Sequence, residues 1–145
     1  MLRVGAILLS LWAGFNLVLA LGILFMLLLL RMNAPALLIL YGDLPAEGME
    51  PRALATINAL AVMFNACAAS LCALSLAMIW FAVVRKAVWA FWSVAGCLLF
   101  LQAAGFASDT FLSNKDFVAN VVSSLVLLGS LFAVGIALFR VSEKT

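Results

Sequence analysis

Four uninterrupted apolar runs decide what this chain can fold into: residues 4–30, 53–82, 87–107 and 117–139. A helix needs about 20 apolar residues to cross a hydrocarbon core of roughly 30 Å, and each run supplies them. In hydrocarbon every backbone N–H and C=O must be paired, so a helix is the form expected of each run. A water-soluble fold fails on area. Of the 145 residues, 68% are hydrophobic and 10% charged, whereas a small domain buries only about two-thirds of its surface. The sequence therefore reads as an all-α, polytopic membrane protein. It is expected as one domain over 1–145, a four-transmembrane-helix bundle with a short interfacial segment in the first outer loop. The first run is far longer than the apolar core of a secretory signal, about 7–15 residues, and is read as a retained span.

Orientation follows from the basic residues, which favour the cytoplasmic side. Arg3, Arg85, Lys86, Arg140 and Lys144 fall on one side with a single acid, Glu143. Arg31, Arg52 and Lys115 fall on the other with Asp43, Glu47, Glu50, Asp109 and Asp116. Both termini are therefore expected in the cytoplasm, in an inner or plasma membrane of bacterial type. Trp80, Trp89 and Trp92 flank the Arg85–Lys86 turn, as aromatic anchors do at a membrane surface. So short a turn makes the second and third spans antiparallel neighbours.

The loop 31–52 holds an apolar patch, 36–41, closed by Gly42, Asp43 and Pro45. It is too short to span and is expected either to lie in the outer interface or to cover the mouth of the bundle. Pro51 suits the first turn of the second helix, where its missing N–H leaves nothing unpaired.

Several chemistries are excluded by what is lacking. There is no histidine, which removes imidazole-based catalysis and most zinc, copper and haem ligation. Cys67, Cys72 and Cys97 lie inside apolar runs and read as packing residues. Cys67 and Cys72 would diverge by about 140° on a helix. No metal or cofactor is expected, and a net charge of +2 gives no footprint for nucleic acid. No ionisable side chain lies deep in a span, and such groups mark ion and proton paths. That argues against a proton-coupled exporter of the small four-helix kind, which relies on an embedded glutamate. It also argues against the four-helix glutathione-transferase family, which uses charged helix residues.

What remains are amides. Asn16 and Asn65 are expected near mid-depth, and Asn58, Gln102 and Asn120 near the outer ends of their spans, with Asp109 at the rim. These six residues either bond across helices and fix the fold, or line an outward-opening cavity for a neutral or zwitterionic molecule. Small residues are expected to bring helices together: Ser10, Gly14 and Gly22; Ala55, Ala59, Ala69, Ala73 and Ala77; Ser123, Ser124, Gly129, Ser130 and Gly135. The run 27–30, which has no small face, is expected toward lipid or a partner.

The first functional expectation is a non-catalytic integral membrane protein acting by association. It would be an accessory subunit or homo-oligomer, with membrane lipid as a further partner. The second is a small channel or carrier for a neutral or amphipathic solute along the amides. The third is a lipid-directed enzyme using Asp109 or Asp116, whose side chains have nothing nearby to raise their pKa.

Overall fold

The computed structural model describes residues 2–38, 48–112 and 117–142, and every regular element among them is helical. Helix α1 spans Leu2–Leu28, α2 Ala34–Leu38, α3 Pro51–Met78, α4 Val88–Leu112 and α5 Phe117–Ser142. A π-helical turn, Ile79–Val83, prolongs α3. Four stretches are long and apolar enough to cross a membrane: Leu2–Leu28, Pro51–Val83, Val88–Ala107 and Asn120–Phe139. The second of these is 33 residues long, about 50 Å of helix at 1.5 Å per residue.

Local chemistry sets the ends. Pro51 occupies the start of α3 as its fixed φ requires. At the other end the chain reverses through Lys86, whose φ of 68° is left-handed. The Lys86 N–H donates to the Val83 carbonyl at 2.9 Å and the Ala87 N–H to the Ala82 carbonyl at 3.0 Å. This pair of bonds is a Schellman motif, which normally carries glycine at the left-handed position. Arg31, with φ 51°, turns the chain after α1 in the same left-handed region.

Each long helix packs against its neighbours in chain order, and α5 closes back on α1. The main core lies toward the end that carries the start of α1, the 84–87 turn and the end of α5, hereafter the basic end. Leu9, Ile79, Val83, Val94, Leu98, Leu127 and Val134 are buried there, drawn from all four long helices. Further along, α1 and α3 meet through Ala20, Ala68 and Ala69. At the opposite end Leu27 is buried with Ala34 and Leu37, with Ile23, Ile57, Ala61 and Val62 around them. So α2 seats against the ends of α1 and α3. Residues 39–41 of the apolar patch lie outside the described residues.

Two packing expectations are corrected. Leu27 turns inward against α2, while Leu28, Leu29 and Leu30 are exposed. The small residues also divide differently. A Cβ on Gly14, Gly22 or Gly129 would meet nothing within 4 Å, whereas one on Gly5 would sit 2.8 Å from Val134 Cγ2 and 3.0 Å from its backbone nitrogen. Gly5 is thus the glycine that lets α1 approach α5, and Gly135 gives room to Phe91 at 3.5 Å. On α3 only Ala69 of the expected set is buried, while Ala55, Ala59, Ala73 and Ala77 are exposed. Small size at four-residue spacing permits close approach but does not say which side of a helix is approached.

Candidate functional site

The densest polar constellation joins α1, α4 and α5. A tryptophan indole or a glutamine amide in an apolar bundle needs a partner, since an unpaired polar group there costs several kcal/mol, about as much as in hydrocarbon. Trp12, 6% exposed, donates through Nε1 to Ser123 Oγ at 3.0 Å and to the Ser123 carbonyl at 3.1 Å. The Ser123 hydroxyl donates in turn to Gln102 Oε1 at 3.3 Å. Gln102 Nε2 donates to Ser124 Oγ at 2.9 Å and to the Asn120 carbonyl at 3.3 Å. The Ser124 hydroxyl completes the run to the Asn120 carbonyl at 2.8 Å. Donors and acceptors alternate from α1 to α5, across to α4 and back to α5, so each bond polarises the next.

The other amides sit elsewhere. Asn58 Oδ1 accepts the Ala34 N–H at 2.7 Å, and its Nδ2 donates to Asn33 Oδ1 at 3.1 Å. It is the tether that holds α2. Asn16 Nδ2 donates to the Trp12 carbonyl at 2.9 Å, and Asn65 Nδ2 to the Ala61 carbonyl at 2.8 Å. Each satisfies itself within its own helix, four residues back. The antiparallel register set by Ala20 against Ala68 and Ala69 puts Asn16 opposite Cys72 and Asn65 opposite Ile23. That separates the two asparagines by about seven residues, or roughly 10 Å along the axis.

Of the six candidate residues, then, Gln102 and Asn120 are joined, the latter through its backbone carbonyl. Asn16 adjoins them through Trp12, while Asn58 and Asn65 stand apart. Asp109 lies in α4, but its side chain, like the whole of Asp116, is outside the described residues. Trp12, Ser123, Ser124 and Asn33 complete these arrangements. Their signal in the sequence is weak: a hydroxyl pair three and four residues beyond Asn120, and an indole in an apolar run. Cys72 is buried and Cys67 exposed, in keeping with their angular separation, and all three thiols are free.

A second feature lies on the outside of α3. Ala59, Met63, Ala66, Ser70, Ala73, Ala77 and Trp80 are all exposed, beside the larger Leu60, Phe64 and Leu74 of the same helix, and their spacing alternates between four and three residues. That is the 3.5-residue repeat of a helix seam. The outward faces of α1 and α5 differ. They present Leu11, Phe15, Val18, Leu21 and Phe25, and Val118, Val122, Leu125 and Phe132. On α4 the exposed Ser93 and Gly96 are interrupted by Trp92, Leu99 and Phe100. Large branched and aromatic side chains suit acyl chains, whereas small ones leave a furrow that a second helix fills.

Comparison with protein families, with curated proteins and with solved structures finds no match for this chain.

Proposed function

We propose that this chain is a non-catalytic integral membrane protein that acts by association with further copies of itself, with both termini cytoplasmic. The observation that carries the reading is the small-residue seam of α3. It has coiled-coil spacing over three heptads and no partner among the described residues. In lipid, helices gain little from hydrophobicity and associate where small residues let backbones come close. The amides support the same reading over carriage of a solute. Gln102 is engaged with α5, Asn58 with α2, and Asn16 and Asn65 with their own helices. A path for a solute needs such groups turned toward a lumen.

The test is cross-linking in native membranes. With the three native cysteines replaced by alanine, Ala66→Cys, Ser70→Cys and Ala73→Cys should each give covalent dimers on mild oxidation. Val18→Cys on α1 and Val122→Cys on α5 should remain monomeric. Equal cross-linking at all five positions, or none at the seam, contradicts the proposal.

A further inference from the structure

The basic end carries a surface that is cationic among the described residues and that the association seam meets only at Trp80. Arg3, Arg85 and Lys86 belong to it, and no acid does among the described residues, whose acids Glu50 and Asp109 lie at the opposite end. Arg85 and Lys86 are exposed, on a turn fixed by the Schellman bonds. Large rings flank that turn on both sides. Trp80 is 47% exposed, Phe81 69%, Trp89 67% and Trp92 60%. Trp92 is braced by Phe91, ring centroids 5.3 Å apart, and by Phe139 of α5 at 6.3 Å.

The geometry points to this surface as a docking site for an anionic phospholipid of the facing leaflet. The headgroup phosphate lies against Arg85 and Lys86, and the acyl chains against Trp89 and Trp92. Charge complementarity selects the occupant: two cations with no counter-ion among the described residues attract a net negative headgroup, whereas a zwitterionic one brings its own positive charge beside them. Near a membrane surface each cation favours anionic lipid by about fivefold. Exposed indoles give the chains a flat, amphipathic wall at headgroup depth. The inference rests on membrane residence but not on self-association.

The fold supplies its own reporters. Of the four tryptophans, three flank the turn, and the fourth, Trp12, is buried and hydrogen-bonded on both acceptors of Ser123. The full chain is placed in phosphatidylcholine vesicles doped with brominated phosphatidylglycerol or with brominated phosphatidylcholine, and tryptophan quenching is followed against mole fraction. The anionic quencher should reach half-maximal effect at a several-fold lower fraction than the zwitterionic one. The double substitution Arg85→Gln/Lys86→Gln should bring the two curves together, and so should high salt on the unaltered protein. Arg31→Gln/Arg52→Gln, at the opposite end, should leave the gap as it is. Coincident curves for the unaltered protein overturn the inference, as does a gap that the opposite-end pair closes equally. Either result leaves the cross-linking pattern of α3 untouched, so the two readings fail separately.

Discussion

Replacing Gln102 with leucine tests whether the polar run across α1, α4 and α5 is a clamp. The substitution keeps side-chain volume and removes three contacts: a good bond to Ser124 Oγ at 2.9 Å and two longer ones at 3.3 Å, to the Asn120 carbonyl and from Ser123 Oγ. Interhelical bonds in membrane proteins average about 0.6 kcal/mol and reach about 1.7. One strong and two weak bonds therefore predict a loss of about 1–2 kcal/mol. The Ser124 hydroxyl still donates to Asn120, whereas the Ser123 hydroxyl still accepts from Trp12 but loses the acceptor it donates to, which places the loss toward the upper part of that range. Asn65→Leu is the matched control. That asparagine is also buried, yet its bond runs only to Ala61 of its own helix. Its loss should move stability by less than about 0.5 kcal/mol. Reversible unfolding in mixed micelles reads both numbers. A double-mutant cycle of Gln102→Leu with Ser124→Ala should return a coupling of about 0.6 kcal/mol. The reasoning fails if Gln102→Leu is neutral while Asn65→Leu destabilises by more than 1 kcal/mol, an estimate set by the same bond energies.

Other substitutions probe single contacts. Gly5→Ala drives a methyl into the Val134 backbone and should destabilise by about 1–3 kcal/mol, read as a lower midpoint in the same unfolding assay. Lys86→Gly relieves a left-handed residue at φ 68° and should stabilise by roughly 1 kcal/mol, read as a higher unfolding midpoint. Asn58→Ala removes the acceptor of the Ala34 N–H and the donor to Asn33. Amide exchange should then rise across residues 34–38 with little change in the core of α4, and equal exchange in both proteins would deny Asn58 its tethering role.

The four long apolar helices were legible because length and polarity suffice: an apolar run of 20 residues has one stable form in hydrocarbon. Pro51 marked its helix start for a reason that needs no tertiary contact. Helix ends were harder. Helix α4 continues to Leu112 through Ser108, Asp109 and Thr110, since a helix emerging into water can carry polar residues that apolarity alone would exclude. Which face of each helix is inward was not legible. In a soluble bundle polarity marks the outside, but here Leu127, which is buried, and Leu128, which is exposed, are the same residue type on adjacent positions. The seam of Ala66, Ser70 and Ala73 emerges only once Asn65, Ala68, Ala69 and Cys72 are known to face inward. The amides had the same difficulty. Gln102 and Asn120 are expected at one level, but the network they share is completed by Ser123, Ser124 and a tryptophan that lies 111 residues from Ser123 in sequence.

Subunit number in a bilayer tests the association account most directly. The protein, labelled once per chain and reconstituted at low density, is counted by stepwise photobleaching beside an Ala66→Leu/Ala73→Leu variant that fills the α3 furrow. The account predicts a discrete oligomer for the unaltered protein and single subunits for the variant, with helix content unchanged. Single subunits for both, or an oligomer that the filled furrow leaves intact, would contradict it.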